Sequence, residues 1–74
     1  MEGMNMLYKI YIYDVLEYIC AAPSAERACE MTSDVTKEDW NEIHAVKLQL
    51  PQGVSLETLY PPNRYPYLNM DGTM

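Results

Sequence analysis

Two cysteines, one histidine and a spread of carboxylates are the side chains of this 74-residue sequence whose types could carry chemistry. Cys20 or Cys29 beside His44 would make a thiol and base pair. Nucleophilic catalysis also needs a group to orient the base and donors for an oxyanion, and no motif supplies either. The cysteines lack CxxC spacing and His44 has no ligand pattern around it, so no metal or other cofactor is expected. Asp14 and Glu17 are a carboxylate pair by type, but they fall in a polar break between apolar runs, where a turn places such residues anyway. Gly3, Gly53 and Gly72 are too dispersed for a phosphate-cradling loop. The chain is therefore not expected to be an enzyme. Cys20 and Cys29 are expected as buried thiols, a disulfide being open to them only if a helix folds back on its strand.

The remaining acidic residues point elsewhere. Glu26, Glu30, Asp34, Glu38, Asp39 and Glu42 stand against Arg27 and Lys37 alone, and the whole chain carries a formal charge of −6. Phosphate binding depends on Lys and Arg displacing counterions, so direct nucleic-acid binding is not expected. A solvated face that keeps a small protein soluble accounts for such a run. The functional reading is a negative patch, Glu26, Glu30, Asp34, Glu38 and Asp39, aimed at a basic surface of another protein, where opposite potentials steer encounter. A second candidate surface is aromatic. Tyr11 and Tyr13 on one strand and Tyr18 on the next cannot all lie under one small helix, so an uncovered sheet face would show tyrosines with Lys9 and Lys47 among them. Tyr offers wide contact area at low entropic cost, which suits protein binding or pairing with a second copy. The competing reading is that the C-terminal Tyr-Pro segment folds over that face.

The elements that must position these groups follow from pattern. Residues 6–22 allow either two strands or one helix. The helix would be apolar nearly all round, which so small a chain cannot bury, and the Tyr and Ile enrichment favours strands. Alternation then puts Met6, Tyr8, Ile10 and Ile12 on one face and Leu7, Lys9, Tyr11 and Tyr13 on the other. The chain reverses near Asp14, and a second strand over residues 16–22, with Leu16, Tyr18 and Cys20 on one face, stops at Pro23 for lack of an amide hydrogen. Ser24 is an N-cap for a helix that ends near Ser33 or Asp34 and lays the small face Ala25, Ala28, Cys29 and Thr32 on the sheet. Trp40, the one tryptophan, is expected to close an end of the core. Residues 43–50 read as a strand with His44, Val46, Leu48 and Leu50 facing one way. Residues 54–59 suit one helical turn or an edge segment. Residues 60–68, rich in Pro and Tyr, suit polyproline II or irregular extended chain, more in keeping with packing along their own domain than with a proline-rich ligand.

These elements predict an α+β fold in the order β-β-α-β. An antiparallel sheet would be covered on one face by the helix, with residues 1–5 as a disordered leader, 6–59 as a single domain and 60–74 as an extended C-terminal arm. A chain of this length buries only about 60% of the surface its unfolded form exposes, so association with a partner or a second copy is a natural source of added stability. With no basic leader and no apolar run near the roughly 20 residues of a membrane span, a cytoplasmic location is expected.

The run Tyr8-Lys9-Ile10-Tyr11-Ile12, then Asp14-Val15-Leu16-Glu17 and Ala22-Pro23-Ser24-Ala25-Glu26-Arg27-Ala28, resembles the small plasmid and phage proteins of the DpnD/PcfM type. In these a β-hairpin runs into a helix and then a third strand. In size and acidity the chain also resembles phage inhibitors of bacterial defence, such as anti-CRISPR and anti-restriction proteins. That resemblance implies an inhibitor acting in the host cytoplasm on a defence or nucleic-acid-handling protein.

Overall fold

The computed structural model describes residues 6–69. They form strands β1 (Met6–Ile12) and β2 (Val15–Ala22), helix α1 (Ala25–Thr36), a 3₁₀ turn (Trp40–Glu42), strand β3 (Ile43–Lys47), the short helix α2 (Leu56–Leu59) and strand β4 (Tyr67–Asn69). The sheet order is β3-β1-β2-β4. β1 pairs antiparallel with β2 and with β3, whereas β4 pairs parallel with β2. The fold is thus α+β, but the sheet is mixed and has a strand more than the expected β-β-α-β order. Since β2 and β3 both oppose β1, they run parallel to each other, and α1 is the crossover that joins them with β1 between.

The hairpin turns on two residues, Tyr13 (φ 53°) and Asp14 (φ 66°), both left-handed. This is the conformation of a type I′ turn, whose twist matches the strands it joins, formed here without the usual Asn-Gly. A left-handed residue other than glycine costs roughly 1–2 kcal/mol. The Tyr13 amide donates to the Glu42 carbonyl at 3.1 Å, which ties the turn to the entrance of β3. A bulge follows. Ile10 pairs with Tyr18 but Tyr11 pairs with Leu16, leaving Glu17 as an extra residue. Across it the faces of β2 exchange, so Tyr18, Cys20 and Ala22 join Tyr8 and Ile10 on the helix side while Leu16 lies with Tyr11 on the other.

Helix α1 starts where the sequence places it. The Ser24 hydroxyl accepts from the Arg27 amide at 3.2 Å. Ala28 and Thr32 are fully buried against the sheet, with Cys29 and Met31 packed beside them. Ala25, expected on that face, is exposed. Thr32 satisfies its buried hydroxyl by donating to the Ala28 carbonyl at 2.8 Å. The helix runs to Thr36, past the expected stop, and ends on Lys37 at φ 66°, whose amide donates to the Ser33 carbonyl at 2.7 Å.

The core is one layer between α1 and the sheet, made of Tyr8, Ile10, Ile12, Cys20, Ala22, Ala28 and Ile43. In β3 it is Ile43 and Ala45 that face this layer, while His44 and Val46 lie exposed on the other side. β3 ends at Lys47 rather than Leu50. Trp40 does not close the core: it opens the 3₁₀ turn that Asp39 caps, and 46% of its surface is exposed.

After β3, Gly53 at φ 82° takes the third position of a turn in which the Val54 amide donates to the Pro51 carbonyl at 3.1 Å. That position requires a positive φ, which glycine adopts without strain. The Pro/Tyr segment is not a free arm. It coils at Pro61, whose carbonyl accepts from the Arg64 and Tyr65 amides, and returns to the sheet where the Ile19 amide donates to the Pro66 carbonyl at 3.1 Å. Tyr67 then donates to the Tyr60 carbonyl at 2.6 Å. Because Tyr67 pairs with Ile19, it lies opposite α1, so the segment covers part of the face that the helix leaves bare and Ile19 is buried there. The leader (1–5) and the end of the expected arm (70–74) lie outside the described residues.

Lys37 offers a direct test of the helix end. Lys37→Gly relieves the left-handed strain and should raise stability by about 0.5–1 kcal/mol, several degrees in Tm for a domain of this size, while Lys37→Ala should not. Thermal unfolding of the two variants checks this, and equal Tm values would remove the strain argument.

Candidate functional site

The residues with chemical potential are kept apart. Cys20 is fully buried on the helix side of the sheet and Cys29 reaches it from α1, its thiol 3.8 Å from the Ile43 carbonyl. Both are free thiols. Burial, and secondarily the neighbouring Cys29, pushes the Cys20 thiol up to about 11. Burial also raises Cys29, against the pull of the Ala45 backbone. His44 lies on the far face beside Tyr11, so the sheet stands between imidazole and thiols and the two do not pair. Asp14 and Glu17 occupy turn and bulge, both exposed. Among the described residues no three His, Cys, Asp or Glu side chains converge as metal ligands. Nor is any described helix long and apolar enough to cross a membrane.

The acidic candidates fall into two groups. Glu26, Glu30 and Asp34 follow one another at four-residue intervals, about 6 Å apart along the axis of α1, and all are exposed. Of these, Glu30 holds the Arg27 guanidinium at 2.9 Å in a solvated i,i+3 pair that adds little to stability. Glu26 suits the positive end of the helix, and the Asp34 carboxylate makes no hydrogen bond or ion pair among the described residues. Glu38 and Asp39 belong to the connection after the helix. Their segment is fixed by Ser33 Oγ donating to the Glu38 carbonyl at 2.9 Å and by Asp39 Oδ1 accepting from the Asn41 amide at 3.1 Å. Asp39 therefore has a structural task, and Glu38 is partly buried.

The tyrosines do not share one surface. Tyr11 lies on the face opposite α1 with Lys9, while Lys47 pairs with Tyr8 on the helix side. Tyr18, expected on the uncovered face, is carried by the bulge to the helix side and packs against the core. Tyr13 stands at the hairpin tip, 62% exposed. Tyr13 and Tyr18 instead meet in an open groove of about 290 Å³ between the hairpin and the end of α1, lined also by Ile12, Val15, Glu17, Thr36 and Glu38. Sequence reasoning does not find this groove. The available signal is Val35, seven residues after Ala28 and so on the same helical stripe, yet 57% exposed. The apolar stripe of α1 outlasts the layer it covers.

Comparison of the chain with protein-family models, with curated proteins and with solved structures found no match.

The thiols give the site a pH signature. Folded Cys20 keeps its proton to about pH 11, against an ordinary value of 9.0, so above 9 the folded chain binds more protons than the unfolded one and loses stability as pH rises. Stability from this source is complete below pH 9 and falls by something on the order of 2 kcal/mol towards pH 11. Urea midpoints should be level up to about pH 8.5 and then decline, and Cys20→Ala, less stable at pH 7, should decline less steeply. A wild-type midpoint unchanged between pH 9 and 10.5 would contradict this.

Proposed function

We propose that the chain is a small acidic, non-catalytic module that occupies a basic surface of another protein. The observation that carries this is the outward stripe of α1, where Glu26, Glu30 and Asp34 stand exposed and, among the described residues, Arg27 alone pairs with one of them. Carboxylates at this spacing repel one another mildly and do nothing for the helix beyond what Glu26 gives its positive end. A complementary field is what they are suited to meet. A surface that normally receives phosphates offers such a field, so a nucleic-acid-handling or defence protein of a host cell, blocked in the cytoplasm by a phage-type inhibitor, is the partner class that combines this stripe with the resemblance of type.

Pairing of two copies through the sheet and the Tyr-Pro segment is the second reading. Val46, 45% exposed near Tyr11 on the face opposite α1, favours it. Two things oppose it. Each copy carries the same net charge of −6, and the Cys29 thiol of α1 already approaches the Ile43 carbonyl of the β3 edge, where an added strand would dock.

The test is triple charge reversal, Glu26→Lys, Glu30→Lys and Asp34→Lys, used against a partner identified by capture from a host lysate. The three side chains are exposed, so circular dichroism should be unchanged. Affinity should fall by roughly tenfold or more, with a weaker salt dependence than wild type. Equal affinity and equal salt dependence in the two proteins would refute the reading.

A further inference from the structure

The groove between the hairpin and the end of α1 has a composition that the acidic stripe does not. Its walls are apolar or aromatic, from Ile12, Val15, Tyr13 and Tyr18, and its polar lining is Thr36 with two carboxylates, Glu17 and Glu38. No cation lines it. Lys37, between Thr36 and Glu38 in the chain, is exposed and not part of the lining. The end of α1 adds to the negative field, because the last turn carries no basic residue and the carbonyls of a helix C-terminus amount to about half a negative charge.

We infer that this groove receives a single lysine or arginine side chain from a basic segment of a partner protein. The aliphatic stem would lie along Ile12, Val15 and the Tyr18 ring, and the cationic head would reach Glu17 or Glu38, with the tyrosine faces as further cation acceptors. Charge complementarity selects this occupant. A second copy of the chain would bring net negative charge to a negative groove. The ends of the described chain are also remote, since Met6 pairs with Ala22 and Asn69 with Ala21 at the other end of the sheet. The inference rests on the reading that the partner is basic, and adds where one of its side chains is buried.

The probe is a blocked hexapeptide of alternating arginine and leucine, titrated into the full chain and followed by amide chemical shifts in low salt, with a glutamate-for-arginine peptide as control. The expected result is saturable shifts at Tyr13, Val15, Tyr18, Thr36 and Glu38. Glu17→Gln with Glu38→Gln should weaken binding by about tenfold, while Glu57→Gln, an exposed carboxylate on α2 outside both acidic surfaces, should leave it within about twofold. Two carboxamides keep the shape of the groove, and Tyr18→Leu, which keeps an apolar wall but removes the ring face, should weaken the arginine peptide more than its lysine counterpart. Shifts centred on Glu26, Glu30 and Asp34, with no loss of binding in the Glu17 and Glu38 double variant, would overturn the groove and leave the acidic reading intact. Shifts caused equally by the glutamate peptide, or by raising the protein concentration alone, would overturn it as well. No shift with any basic peptide at low salt would overturn both.

Discussion

Ile10 is paired to Tyr18 on one side and to Ala45 on the other, and has no exposed surface. That double pairing of β1 is the constraint on which the rest depends. A strand flanked on both edges cannot shed its apolar face to solvent, so something must lie directly over Tyr8, Ile10 and Ile12. Only α1 is available, and it can come close because Ala28 and Thr32 are small. The Thr32 hydroxyl would be a liability in that layer, but it is bonded to the Ala28 carbonyl within the helix itself. Among the described residues the core is one such layer, and large apolar side chains that fall outside it, Val15, Val35, Trp40 and Val46 among them, stay exposed.

The division of β1 into two faces was legible, because strict alternation over Met6–Ile12 has no other pleated reading. So was the start of α1, since Pro23-Ser24 ends a strand and caps a helix in consecutive residues. What the sequence hid has three physical causes. A bulge consumes one residue without altering composition, so nothing in Leu16-Glu17-Tyr18 announces that Tyr18 changes sides. β4 is three residues long and gains its place through a parallel pairing with β2 some 48 positions earlier, Ile19 with Tyr67, which no local pattern encodes. Trp40 reads as core on bulk alone, whereas it falls in the 3₁₀ turn that Asp39 caps and stays 46% exposed. The candidate site was legible in the same uneven way. Glu26, Glu30 and Asp34 stood out as members of an acidic run, but the groove joins residues from 12–18 with residues 36–38 and exists only after the bulge and the overrun of α1 are known.

The acidic residues are not equivalent, although composition treats them alike. Asp39 caps, Glu26 suits the positive end of α1, and Glu30 balances Arg27, so each is partly explained by the fold. Asp34 has no such role, and neither do the carboxylates of Glu17 and Glu38: one sits on a bulge and the other in the connection after α1, both beside apolar walls. A carboxylate next to half-covered aromatic surface makes a poor solvated face, because the apolar part gains nothing from water and the charge gains nothing from the apolar part. Together they suit a ligand that is itself amphipathic, as lysine and arginine side chains are.

Backbone strain falls in the same place. Tyr13 and Lys37 are left-handed without being glycine, and one lines the groove while the other follows Thr36, which lines it too. At Tyr13 a glycine would release the strain but remove the ring that forms part of the wall, so conformational ease and surface are opposed there. At Lys37 they are not, since its side chain lies outside the lining. The hairpin tip is held in its costly conformation by the bond from the Tyr13 amide to the Glu42 carbonyl, and that bond exists because β3 follows the 3₁₀ turn directly. The backbone position of Tyr13 therefore depends on the same β1–β3 pairing that buries Ile10, which ties the hairpin wall of the groove to the core.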